Sequence, residues 1–323
     1  MRKYSIFLFC LFLSYSYSQE LTIPTFTQYL GDNPAIISPA YMGIGDFVKI
    51  RANGLTQWVG IKGAPDNQSI SIDGRLGQRS GFGAYAYNDK NGNTYQKGAK
   101  LSFAHHLILD YNDDKYLSFG MSFVMNNFEI DISKFDPGFD PSVTSNKSLT
   151  NYNFDMGILY RQKSLDISVN ANNVLNKNLD GYNKIEPNKL RNYTAYSSYV
   201  FSKSGSNVEL EPSVFLQYYE SDKRSFSDIN LKVRFLQFES YYWAGITYRF
   251  LNDQIGKPLN LGPMAGFKKN KFYFAYSYQI TMNSLFGYNS GTHMVTLGLD
   301  VFENMSNCPC TQKFSKMDSS FHR

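Results

Sequence analysis

The stretch Lys271-Phe-Tyr-Phe-Ala-Tyr-Ser-Tyr-Gln-Ile-Thr-Met282 decides what kind of chain this is. Phe272, Phe274, Tyr276, Tyr278, Ile280 and Met282 take alternate positions, with Tyr273, Ala275, Ser277, Gln279 and Thr281 between them. Successive side chains of a strand point to opposite faces, so the segment reads as one strand with an apolar face and a smaller, more polar one. Soluble strands run to about five or six residues. A tilted strand needs about 9–11 residues to cross a bilayer, and this one has that length.

The same period spreads outward from there. Leu117, Phe119, Met121, Phe123 and Met125 oppose Ser118, Gly120, Ser122 and Asn126, and Tyr152, Phe154, Met156, Ile158 and Tyr160 oppose Asn151, Asn153, Asp155 and Gly157. Fourteen such segments are predicted, at about 46–58, 67–76, 80–88, 94–109, 115–127, 150–161, 164–173, 191–202, 207–219, 226–238, 241–250, 258–268, 271–282 and 291–302. The gaps alternate in length. Gly77-Gln78-Arg79, Gln162-Lys163 and Lys269-Asn270 are tight, whereas 128–149 and 174–190 are long and fall on the other side. Outer-membrane barrels pair short periplasmic turns with long outer loops. The expectation is an all-β, transmembrane, up-and-down antiparallel β-barrel of about 14 strands over 45–302. An even strand count leaves both termini periplasmic. An irregular segment at 19–44, periplasmic or docked in the lumen, precedes the barrel, and a short periplasmic tail at 303–323 follows it.

Composition agrees. Aromatic residues make up 16% of the 323 residues and charged residues only 18%. That balance suits lipid-facing strands with interfacial girdles, although an aromatic-rich soluble sandwich would share it. Lys49, Arg51, Asp73, Arg75, Glu209, Glu211, Lys232 and Arg234 fall on the second face of their strands, where a barrel has a wet or plugged lumen. A net charge of +5 without a Lys/Arg block argues against a nucleic-acid partner.

Residues 1–18 read as a secretory signal peptide: Arg2 and Lys3 are its charged start, Ile6 to Leu13 its apolar run, and Ser16-Tyr17-Ser18 its cleavage site. An apolar run far below ~20 residues excludes a spanning helix there. Chemistry is hard to place on the remainder. His105 and His106 are adjacent on a strand, so they point to opposite faces and do not share a metal. Asp110–Asp114 faintly resembles a calcium loop, but Lys115 stands where the turn glycine belongs and Met121 where the bidentate Glu belongs. No Gly-x-Ser-x-Gly elbow occurs. The expectation is therefore a non-enzymatic protein with no cofactor, metal or catalytic residue. Cys308-Pro309-Cys310 leaves one residue between its thiols, which disfavours an intrachain bridge. The pair reads as oxidised or incidental on a disordered tail.

The opening of the mature chain is not barrel-like. It carries Phe26-Thr-Gln28-Tyr29, then Asn33-Pro34 through Ser38-Pro39-Ala40-Tyr41, then Gln57-Trp58-Val-Gly60 with Pro65 beyond. These residues resemble the opening of the PorP/SprF family of type IX secretion proteins. Ser38 and Met42-Gly43 depart slightly from its usual pattern. Leu210-Glu-Pro-Ser213, Tyr242-Trp-Ala-Gly-Ile246 and Gly291-Thr-His-Met-Val-Thr-Leu-Gly298 continue the likeness in order along the chain. The resemblance implies an outer-membrane barrel of Bacteroidota serving protein secretion and gliding motility. Its implied partners are membrane lipid, a secreted adhesin or cargo C-terminal domain, and translocon or periplasmic ring components. Phe26, Gln28, Tyr29, Asn33, Pro34, Pro39, Ala40, Gln57, Trp58, Gly60 and Pro65 become candidates for partner contact. In the first long loop, Phe135, Asp136, Phe139 and Asp140 offer apolar and acidic contacts. The alternative is a diffusion channel for small solutes.

Overall fold

The computed structural model describes residues 33–131, 147–175, 190–203, 205–238, 240–282, 286–302 and 308–312. The expected signal peptide lies outside the described residues, as do Phe26, Gln28, Tyr29, Phe135, Asp136, Phe139 and Asp140.

The strands are β1 Val48–Thr56, β2 Asp66–Arg75, β3 Ser80–Asn91, β4 Thr94–Asp110, β5 Lys115–Ile130, β6 Lys147–Gln162, β7 Leu165–Asn172, β8 Asn192–Tyr199, β9 Phe201–Ser202, β10 Val208–Tyr219, β11 Ser225–Gln237, β12 Ser240–Leu251, β13 Pro258–Lys269, β14 Phe272–Thr281 and β15 Thr292–Val301. All fifteen belong to one sheet. β8 and β9 both pair with β10 and form a single crossing, so the fifteen strands make fourteen crossings. Between them, the Val200 N–H donates to the Ser164 carbonyl in the neighbouring turn, which interrupts the strand. β1 pairs with β15 from Val48↔Val301 to Thr56↔His293, and the sheet closes on itself. Closure satisfies the backbone across lipid and leaves no open edge there.

Alternation sorts the side chains as expected. Tyr273, Ala275, Ser277, Gln279 and Thr281 are buried in the lumen, while Phe272, Tyr276 and Met282 are exposed on the outer wall. His106 is buried inside and His105 exposed outside. At the end of the barrel that holds the start of β1 and the end of β15, here the terminal end, the turns are tight. Asn270, Lys163 and Asp114 take positive φ there. Asp110 Oδ1 accepts the Asn112 N–H at 2.9 Å, so the acidic run that faintly resembled a calcium loop is a hydrogen-bonded turn.

β5 and β6 run further than the periodicity indicates. Their ladder continues to Ile130↔Lys147, which shortens the expected 128–149 gap from both sides. The outward face changes character on the way. Above Met125 and Tyr152 it carries Asn127, Ser148 and Thr150, and Asn127 Nδ2 donates to both hydroxyls. Polar residues on both faces hide the alternation once the hairpin leaves the lipid. One wall is therefore tall: β4, β5 and β6 have 17, 16 and 16 residues, whereas β7 and β8 have 8 each.

Residues 308–312, the described part of the tail, depart from the expected disorder. Cys308 and Cys310 form a disulfide and pack against Tyr116 and Ile108, and Cys310 and Thr311 are fully buried inside the terminal end. The reason is long-range: arginines on the barrel wall accept this short segment, and its own spacing carries no sign of them.

Candidate functional site

The lumen is occupied by the chain itself. Residues 33–47 enter it as two short 3-10 turns, Pro34–Ile36 and Pro39–Tyr41, each opened by a proline whose fixed φ suits a first helical position. Ser38 Oγ accepts the Ala40 N–H at 3.2 Å and caps the second turn. Ile37, Ala40, Tyr41 and Ile44 pack against Leu159, Tyr196, Phe215, Tyr219 and Phe226, which point inward from β6, β8, β10 and β11. A second apolar cluster, of Leu55, Trp243, Met264, Tyr273, Ala275 and Met294, lies apart from it on the inner wall; the segment that makes the first is the plug. Burial and then the nearby Asp166 carboxylate push the Tyr41 hydroxyl well above its ordinary pKa, so it stays neutral.

Missing side chains make the seat. Gly120 and Gly157 are direct cross-strand partners on β5 and β6. A Cβ at Gly120 would lie 2.3 Å from Ala40 N and from the Pro39 carbonyl carbon, and one at Gly157 would lie 2.7 Å from Ser38 Oγ. Gly81 on β3 receives the next residues, since a Cβ there would lie 2.0 Å from the Met42 carbonyl oxygen. Glycine inside a strand marks close approach of another backbone, and here that backbone is the Ser38–Met42 part of the plug.

Polar contacts pin the seated segment. One ring nitrogen of His106 lies 2.9 Å from the Met42 carbonyl and the other 2.7 Å from Ser118 Oγ. Lys49 Nζ donates to the Ile44 carbonyl at 2.5 Å, and Arg75 pairs with Asp46 at 2.8 Å. The Cys308–Gln312 tail lies directly beneath. The Thr311 carbonyl accepts from the Gly45 N–H at 2.9 Å and from Arg75 at 3.1 Å. The Arg161 guanidinium donates to the carbonyls of Cys310 and Gln312 and stacks over the Tyr116 ring.

The rest of the inner wall is a ring of buried ion pairs. Asp300 holds both Arg51 at 2.7 Å and Lys268 at 2.5 Å. Arg249 grips Asp228 with two bonds of 2.7 and 2.8 Å, Lys100 meets Asp155 at 2.7 Å, and Arg234 joins Glu209 to Glu211. Opposite charges within hydrogen-bond reach offset part of the cost of burying each one, an offset that a lone buried charge lacks. Among the described residues, no group of three or more His, Cys, Asp or Glu side chains is placed to hold a metal ion. The arrangement binds and positions its own chain.

The motif residues divide between two places. Asn33, Pro34, Pro39 and Ala40 lie in the plug. Gln57, Trp58, Gly60 and Pro65 lie in the β1–β2 loop at the opposite mouth. There the Gln57 N–H donates to the Pro65 carbonyl, Val59 exchanges backbone bonds with Gly291 and Ser290, and the Gly63 carbonyl takes the Gly92 N–H. The loop is thus stitched to both neighbouring loops. Sequence reasoning put Arg75 on the luminal face, split His105 from His106 and set Gly120 and Gly157 on the polar faces, but it gave none of them a role and did not single out Arg161 or Gly81. For the glycines a signal existed, because Gly120 and Gly157 sit at matched positions on the polar faces of consecutive strands.

Comparison with known proteins bears on this arrangement. The family described as "Type IX secretion system membrane protein PorP/SprF" matches residues 18–299. Among solved structures, the chain is similar to the CymD monoaromatic hydrocarbon channel, with 12% identity, a TM-score of 0.50, and coverage of 87% of this chain and 93% of that one. It is also similar to the Ralstonia pickettii toluene transporter TbuX, with 9% identity, a TM-score of 0.46, and coverage of 85% and 93%. At such identity the first likeness is one of fold. No curated protein matches the chain.

Proposed function

The chain belongs to the PorP/SprF family of type IX secretion system membrane proteins, and from that premise we propose that it acts in the outer membrane as a plugged, non-enzymatic docking barrel. It binds secreted cargo, such as an adhesin or a cargo C-terminal domain, or other components of the machine, and so supports export, surface attachment and gliding. Both termini face the periplasm, and the loops at 131–146 and 173–191 face outward. The observation that carries this reading is the filled terminal end of the lumen, where the Asn33–Phe47 plug sits on the Cys308–Gln312 tail. A barrel so filled offers partners its rims and loops. Phe135, Asp136, Phe139 and Asp140 then contribute to partner contact, as do Gln57, Trp58, Gly60 and Pro65 in the β1–β2 loop.

The test removes residues 132–146, beyond the last β5–β6 pair, so that the strands are kept. The shortened chain is expected to insert and fold while secretion or display of cargo fails and co-purification of machine components is lost. Normal secretion and display by that chain would sink the loop's role. A diffusion channel for small solutes is the second reading, favoured by the polar lumen wall and by the fold shared with a protein named as a hydrocarbon channel. In planar bilayers the docking barrel predicts little conductance, and the channel predicts steady solute-permeable current.

A further inference from the structure

The tail does not merely rest beneath the plug; the two share bonds. The Thr311 carbonyl is the meeting point, since it accepts from Gly45 in the plug and from Arg75, whose guanidinium also pairs with Asp46. The tail reaches this point as a hook. Cys308 and Cys310 are bridged across Pro309, and the Cys308 carbonyl accepts both the N–H and the hydroxyl of Thr311 at 3.2 Å. That turn directs the carbonyls of Cys310, Thr311 and Gln312 at Arg161 and Arg75. An unbridged pentapeptide must lose far more chain freedom to present the same carbonyls. Meanwhile both cysteines are buried beside Tyr116 and Ile108, so a reductant cannot reach the sulfurs while the hook is seated.

We propose that Cys308–Cys310 is a redox-set latch: bridged, it holds the tail and through it the plug in the barrel mouth; reduced, it releases both. The co-reactant is a dithiol. Its thiolate attacks one sulfur of the bridge, forming a mixed disulfide and freeing the other sulfur as a thiol after it takes a proton. The second thiol of the dithiol then displaces the remaining cysteine. Two electrons and two protons move to Cys308 and Cys310, and the dithiol leaves as a disulfide. Linkage makes the effect reciprocal: whatever factor the bridge adds to docking, docking adds to the resistance of the bridge to reduction.

Three measurements on the full-length protein in detergent test the latch, with dithiothreitol as the dithiol. Alkylation without reduction, read by intact mass, is expected to find both thiols of the purified protein bridged; free thiols would overturn the proposal. Reduction followed over time is expected to be faster in Arg161→Gln, on the order of tenfold, because the hook is then unseated more often. Equal rates in a folded variant would overturn it. The third reads the unsubstituted chain first, with a double variant as its check. Hydrogen exchange over residues 33–47 and 308–312 is expected to accelerate by about tenfold on reduction, with β3–β6 unchanged, and Cys308→Ser/Cys310→Ser should behave like the reduced protein. Protection of 33–47 that ignores the state of the bridge would rule the latch out.

Discussion

Gly120 and Gly157 face each other across two strands where almost any other residue would strengthen the sheet. Their lack of side chains is what admits Pro39 and Ala40. Gly120→Val should therefore cost about 1–3 kcal/mol by overpacking and should expose the plug to exchange. Gly54→Ala is its control, because a Cβ there meets nothing within 4 Å, and stability should hold or rise slightly. Midpoints of urea unfolding in detergent would check both, and an unchanged Gly120→Val midpoint would count against the seat. Asp300 supplies a second contrast. Its carboxylate serves two buried cations, so Asp300→Asn should cost about 3–5 kcal/mol. Asp113→Asn removes a partner of Lys115 in an open turn, where water and salt screen the pair, and should leave the unfolding midpoint where it is. At this scale the sequence is legible only in part. Alternation marks Asp300, Arg51 and Arg234 as inward, but their pairing depends on register between distant strands. The paired glycines are visible in the sequence as gaps in a pattern. What fills them is an N-terminal segment roughly 80 to 120 positions away along the chain, which no local period reports.

Among elements, the strands were readable, whereas the segment at 19–44 was readable only as an irregular path with two possible places, periplasm or lumen. A strand that faces lipid on one side and the lumen on the other displays its period in every residue, and the fourteen predicted segments correspond to the fourteen crossings. Misplacement occurs where lipid stops dictating the outer face, as at the top of β5 and β6. The plug has no period because its two turns are shaped by prolines and by the wall that receives them. Its prolines indicate an irregular path, and its location follows from tertiary contact alone. The consequence is testable on the element as a whole. A chain lacking residues 33–44 should form a barrel that passes large, steady current in planar bilayers, whereas the full chain should stay nearly silent. Little current from both would show that something other than the plug closes the lumen, and large current from both that the plug does not close it.

For the molecule as a whole, closure is the property on which the rest depends. β15 pairs with β14 on one side and β1 on the other, so a chain ending at residue 291 leaves two unpaired edges within the lipid. Such a chain should fail to show the heat-dependent gel shift of a folded barrel, and a folded form of it would contradict the pairing described. The wall also differs in height around its circumference. Eight or nine additional residues per strand in β4–β6, at about 3.3 Å each, amount to roughly 25–30 Å of extra strand over β7 and β8. The part of β5 and β6 beyond Met125 and Tyr152, up to Ile130↔Lys147, rises clear of the lipid. The mouth is therefore a slope, with a crest on one side and a sill on the other. A strand rim of uneven height has a compass bearing, so its described residues face an arriving partner differently at each azimuth.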